Sequence, residues 1–92
     1  MASPQFALPQ ALDLTQAHAL RDHLADHLRA GTLSINAGAV ERASTPCLQV
    51  LLAAGRAADL AGTSFSIVNA SDVFGAALAD LGLRAEFSKW MD

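Results

Sequence analysis

Ser44-Thr45-Pro46-Cys47 sets two hydroxyls, a proline and the single thiol of the chain in four consecutive positions. Leu33-Ser-Ile35 before them alternates as a strand does, and Leu48, Leu51 and Leu52 after them recur with a helical period. The hydroxyls therefore stand at a helix N-terminus, where unpaired N–H groups favour a capping oxygen, a phosphate or a docking partner. With Thr45 as N-cap, Pro46 takes the first helical position, where its missing N–H costs nothing. The N–H groups of Cys47 and Leu48 then face the Thr45 hydroxyl or a visiting anion. The plainer reading keeps Thr45 as a cap alone, so that Thr45→Ala costs about 1 kcal/mol of stability and no binding. A phosphate on Thr45 or Ser44 would instead add roughly −1.5 to −2 charges beside the positive end of the helix.

The other reactive side chains promise less. His23 and His27 have the i, i+4 spacing of a metal pair, but His18 faces away on a helical projection. Asp22 and Asp26 interleave with them, so a solvated face is expected and no metal site. Cys47 near a helix N-terminus has a setting that can lower a thiol pKa. No histidine adjoins it in sequence, and a small buried residue is its expected role. The glycines at 31, 38, 55, 62, 75 and 82 form neither a dinucleotide fingerprint nor a Walker loop. No serine sits on a nucleophile elbow. The expectation is a protein that is not an enzyme, with no catalytic residues and no cofactor.

The elements that must position Thr45 follow from periodicity. Phe6-Ala-Leu8 reads as an edge strand ended by Pro9. A helix starts at Thr15, its N-cap, with Ala17, Leu20, Leu24 and Leu28 on one stripe, and stops at Arg29 and Gly31. Leu33–Ile35 is a strand and 36–43 a loop. A helix over 46–61 ends at Gly62. Ser64–Val68 is a strand rich in β-branched and aromatic residues. Ser71 caps a third helix with Val73, Phe74, Ala77, Leu78 and Leu81 inward. Leu83–Phe87 suits either a last strand or a last helical turn, and Trp90-Met91 either docks on the core or projects as a contact. Alternation of strands and helices predicts one small α/β domain over residues 1–92. Its sheet is about four-stranded, mixed but mostly parallel with one antiparallel edge, and covered by three to four helices.

Ninety-two residues with 52% hydrophobic content suffice for a single core. The net charge is −3, with arginines scattered at 21, 29, 42, 56 and 84 and one lysine, Lys89. That gives no basic footprint for nucleic acid. No apolar run approaches the roughly 18–20 residues that span a bilayer, so no direct membrane insertion is expected. Met-Ala-Ser-Pro-Gln has none of the regions of a signal peptide. The lone cysteine fits a reducing compartment, and a cytoplasmic location is expected.

The run Ile35-Asn36-Ala-Gly-Ala-Val40-Glu-Arg-Ala-Ser44-Thr45-Pro46-Cys47-Leu48-Gln49 resembles the signature of STAS domains, the family of anti-sigma-factor antagonists. That signature is a strand ending in Asp, a short loop with Val, then Asp-Ser/Thr-x-Gly-Leu opening a helix. Gly62-x-x-Phe65-x-Ile67-Val68-Asn-Ala-Ser71-Asp-Val, followed by Leu78 and Gly82-Leu83, is similar to the second half of the family. Asn36 and Ser44 stand where the family has aspartates, and Cys47 where it has glycine. In the antagonists a kinase phosphorylates the serine just before that glycine, a place held here by Pro46. The hydroxyl one position earlier, Thr45, resembles the STAS subunits of lipid-trafficking ABC transporters, where a threonine helps engage the ATPase. The resemblance thus implies a bacterial regulatory module. Its implied partner is a transporter ATPase, an anti-sigma kinase or a signalling histidine kinase.

The helix opened by Thr45 has a second apolar side. Leu48, Leu51, Leu52 and Gly55 form its inward stripe, while Val50, Ala53, Ala57 and Leu60 lie opposite. A helix apolar nearly all round is buried twice or belongs to an interface. Alanines there are otherwise neutral helix formers. The expected partner-binding residues are Thr45, Ser44, Pro46, Gln49, Val50, Ala53, Arg56, Ala57, Arg42 and Ser71. Thr45 and Ser44 are the candidate phosphorylation sites. Self-association into a homodimer is left open by the sequence.

Overall fold

The strands pair as hydrophobic alternation and short crossovers require. A computed structural model describes residues 5–29 and 32–91. The elements are β1 (Gln5–Ala7), β2 (Ala11–Leu12), α1 (Ala17–Arg29), β3 (Thr32–Asn36), β4 (Arg42–Ala43), α2 (Thr45–Ala61), β5 (Ser64–Val68), α3 (Asp72–Asp80) and α4 (Arg84–Ser88). A 3-10 turn, Leu14–Gln16, precedes α1.

One sheet has the order β1-β3-β5 and the other pairs β2 with β4. Every ladder is parallel. The expected α/β layering is therefore present, with five short strands divided three and two. The antiparallel edge is replaced by a parallel β1, whose Phe6 pairs with Ile35. Pairing β1 parallel to β3 needs a crossover, and α1 supplies it. β2 and β4 are two residues each, too short for any periodic signal, and they arise where the 36–43 loop returns beside the chain after Pro9.

Leu33, Ile35, Phe65 and Ile67 point to one face of the sheet and are buried there, while Ser34 and Ser66 alternate onto the other, half-buried face. α1 and α2 lie side by side over the buried face. Leu20 and Leu24 of α1 meet Leu48, Leu51, Ala54 and Ala58 of α2 in the same core. The stripe of α1 is as its spacing predicts, except that the side chain of Leu28 and the stop at Gly31 lie outside the described residues. Asp13, not Thr15, caps the start: its carboxylate accepts the Thr15 N–H at 3.1 Å and also the Thr15 hydroxyl. An ionised carboxylate two residues back outcompetes a hydroxyl as acceptor for the first free donors.

α2 ends at Gly62, whose φ of 71° is the left-handed conformation that glycine adopts without strain. Ser71 caps α3 as expected, accepting the Phe74 N–H at 3.1 Å. Phe74 and Leu78 are buried, but Val73 and Leu81 are 42% and 41% exposed. α3 is only nine residues long and touches the core along a narrow line, so the two flanking residues face water. Residues 84–88 form a helix rather than a strand. The tail docks: Trp90 is buried, its carbonyl accepts the Ile67 N–H at 2.7 Å, and Met91 bridges Ile67 in parallel.

Candidate functional site

The start of α2 is built on backbone bonds. Ser44 is extended (φ −81°, ψ 153°), and its N–H bonds to the Leu12 carbonyl at 2.7 Å. Its own carbonyl accepts the Leu48 N–H at 3.1 Å, the first bond of the helix. Ser44 is therefore the N-cap, Thr45 the first helical residue and Pro46 the second, so the helix begins one residue earlier than the sequence suggests. The β4 pairing, continued by the Ser44 N–H bond to Leu12, fixes Ser44 as the extended residue just before the helix, which no local propensity encodes. Leu48 is consequently not a free donor. The Ser44 side chain makes no capping bond, and its Oγ is buried with no hydrogen-bond partner among the described residues. Thr45 is exposed, and its hydroxyl has no hydrogen-bond partner among the described residues. It stands free at the positive end of a 17-residue helix.

The loop leading to Thr45 is tied down along its length. Asn36 Oδ1 accepts the Gly38 N–H at 2.8 Å. A Cβ on Gly38 would come within 3.1 Å of that oxygen and 3.2 Å of the Asn69 carbonyl. The Ala37 N–H donates to Val68 O at 3.0 Å, and the Ser71 N–H donates to Ala37 O at 3.2 Å. The Ser71 hydroxyl donates to Val40 O at 2.7 Å. The Gln10 carbonyl accepts from both Glu41 and Arg42 N–H. Ala37 and Val40 are buried plugs beneath these bonds.

The expected partner-binding residues separate into groups. Thr45, Gln49 and Ala53 are exposed along one line of α2, with Pro46 and Val50 half-buried on the side toward α1 and Ala57 exposed a turn further on. From Thr45 to Ala57 this line covers about 18 Å. Leu60, 91% exposed, continues it. Arg42 is exposed in β4, just before the cap. Arg56 lies toward the opposite flank, paired with Glu86 of α4 at 3.2 Å. Ser71 is half-buried with its hydroxyl spent on Val40 and Phe74, so it supports the loop from beneath.

Leu14 escaped the sequence reading. It is 68% exposed in the 3-10 turn, beside the α2 start, because the Cys47 Sγ–H donates to the Asp13 carbonyl at 3.1 Å. No local signal marked it, because the 3-10 turn comes beside α2 only in the folded chain. Cys47 itself is fully buried. His23 stacks on Phe6 with ring centroids 5.4 Å apart, and His27 meets the same ring tilted, at 5.7 Å. The His27 Nδ1–H donates to the His23 carbonyl at 2.8 Å. No group of three metal-ligating side chains occurs among the described residues. No helix among them is long and apolar enough to cross a membrane.

The architecture is a small α/β domain with parallel strands, and the site is an exposed hydroxyl at the head of a half-covered helix. A family model described as "Mlab, STAS domain" matches residues 2–87. The chain belongs to the STAS domain family, as its residue pattern implied. That membership points to a regulatory role exercised through protein–protein contact. No curated protein matches the chain.

Proposed function

We propose that this protein is a non-enzymatic regulatory module that docks on a larger protein through the start and outer face of α2, with Thr45 at the centre. One observation carries the reading. A hydroxyl with no partner among the described residues stands at the head of a helix whose outward side is Ala53, Ala57 and Leu60, all exposed. Apolar surface of this kind gains from being covered, while the hydroxyl and Gln49 supply directional hydrogen bonds within the covered area. The mechanism is occupancy, since nothing on this face assembles a nucleophile with a base.

The partner we favour is the ATPase subunit of a lipid-trafficking ABC transporter, because Thr45-Pro46 resembles the pattern of such accessory subunits. An anti-sigma kinase or a signalling histidine kinase would meet the same face. On this reading the protein works in the cytoplasm of a bacterial cell. Thr45→Ala and Ala53→Arg should each abolish co-purification with the native partner while leaving the melting temperature nearly unchanged. If both variants retain the partner, the interface lies elsewhere.

The accessibility of the two hydroxyls favours one form of a second reading, a phosphorylation switch. The Ser44 oxygen is enclosed, so Thr45 is the acceptor a kinase would reach. A phosphate there would sit well on the helix N-terminus and put its charge into a nearly neutral patch. Incubation with native lysate and ATP should then add one phosphate to the intact mass, and Thr45→Val should remove that shift.

A further inference from the structure

Beside the line of exposed residues on α2 runs an apolar groove. Arg21, Leu24 and Ala25 of α1 form one wall, and Val50, Ala53 and Ala54 of α2 the other. It exists because α1 and α2, packed side by side, face each other there with small residues. Its volume is about 220 Å³, below the roughly 300–1,000 Å³ of pockets that take small molecules. A space of that size fits one large side chain, the way a hot-spot residue is seated at the centre of an interface.

Among the described residues that line it, one is charged, Arg21. Its nearest carboxylate is that of its neighbour Asp22, at 3.8 Å, and both side chains are mostly exposed. Such a pair holds weakly and exchanges readily. On a helical projection Asp22 and Asp26 turn away from the groove, so Arg21 sets its electrostatic character. We propose that this groove receives one large apolar side chain from a segment of the protein partner, and that an acidic residue within a turn of that side chain pairs with Arg21. The proposal rests on the docking reading above and adds the chemistry of the partner. Charge complementarity names the sign, and the apolar walls name the anchor.

Panning a random peptide library on the full chain tests it. The selected peptides should carry Leu, Phe, Met or Trp within one helical turn of Asp or Glu. Ala53→Trp, which fills the groove from an exposed position, should weaken their binding about ten-fold or more. Ala25→Trp, from the opposite wall, should do the same, so one poorly folding variant does not decide the outcome. Arg21→Glu should weaken acidic peptides about two- to five-fold and leave their Asn or Gln versions unchanged. Absence of binders, or binders indifferent to both tryptophans, overturns the proposal. Peptides lost with Thr45→Ala or Gln49→Arg but indifferent to Ala53→Trp overturn the groove and keep the docking face. A concentration-dependent dimer that Ala53→Trp dissociates would make the occupant a second copy and overturn the proposal as well.

Discussion

The indole of Trp90 lies against Gly55 so closely that a Cβ at position 55 would come within 2.5 Å of Cζ2 and Cη2. Phe65 and Phe87 meet the same ring edge-on, with centroids 5.3 Å away. In an open helix Gly→Ala gains about 0.8–1.0 kcal/mol. At position 55 it must displace a ring held on other sides, and overpacking of that kind costs about 1–3 kcal/mol. Gly55→Ala should therefore destabilise the protein in urea unfolding despite the better helix former. Adding Trp90→Phe should recover part of the loss, and a double-mutant cycle reads the coupling.

Asp59 gives the tail a dependence on pH. Its carboxylate accepts from Lys89 and, at 3.3 Å, from the Trp90 indole N–H. The hydrogen bond from Lys89 first, then that from Trp90, holds its pKa below the ordinary 3.8. A carboxyl whose folded value is depressed stabilises the protein above its unfolded value, and this contribution is lost as pH falls through the folded value. Wild type and Asp59→Asn should therefore differ by a constant amount near neutrality. The difference should shrink below about pH 4, as measured by Tm against pH. Raised salt should reduce it at every pH, because the group is well exposed.

Ser71 serves two elements with one oxygen, capping α3 and tying down Val40. Ser71→Ala removes both bonds, and loss of the cap with the loop tie should cost about 1–2 kcal/mol. Amide exchange should accelerate in residues 37–41 as well as in the first turn of α3. Acceleration in α3 alone would show that the Val40 contact holds nothing.

The start of α2 inverts the usual capping rule. Ser44 is the N-cap, but its side chain makes no hydrogen bond among the described residues, and its oxygen is buried. Ser44→Ala should thus leave stability unchanged or raise it by up to about 1 kcal/mol, where a working cap would lose that much. Thr45→Ala should shift stability by less than about 0.5 kcal/mol, since Thr45 caps nothing. Thermal melts of the two variants separate these outcomes.

What the sequence made legible was whatever local pattern controls. β5, with Phe65 and Ile67 alternating between serines, and α3, opened by Ser71, lie where their spacing puts them. Features set by distant partners were not legible. The N-cap moved from Thr45 to Ser44 because β4 pairs with β2, a contact of two residues that leaves no periodic trace. The parallel direction of β1 depends on a crossover rather than on Phe6-Ala-Leu8 itself. Trp90 needed Gly55, thirty-five positions earlier, to show that it belongs to the core. The exposed line on α2 was visible as excess alanine, whereas its companion Leu14 was not, because only the fold brings the 3-10 turn beside the helix.

The bonds beneath the 36–44 loop have a kinetic consequence. A loop anchored by Gln10, Asn36, Val68 and Ser71 has already lost its conformational freedom before any partner arrives. Recognition at Thr45 then proceeds as rigid-body docking, with little ordering to set against the contact energy. Association should be limited by orientation alone, and differences among partners should reside in how long the complex lasts.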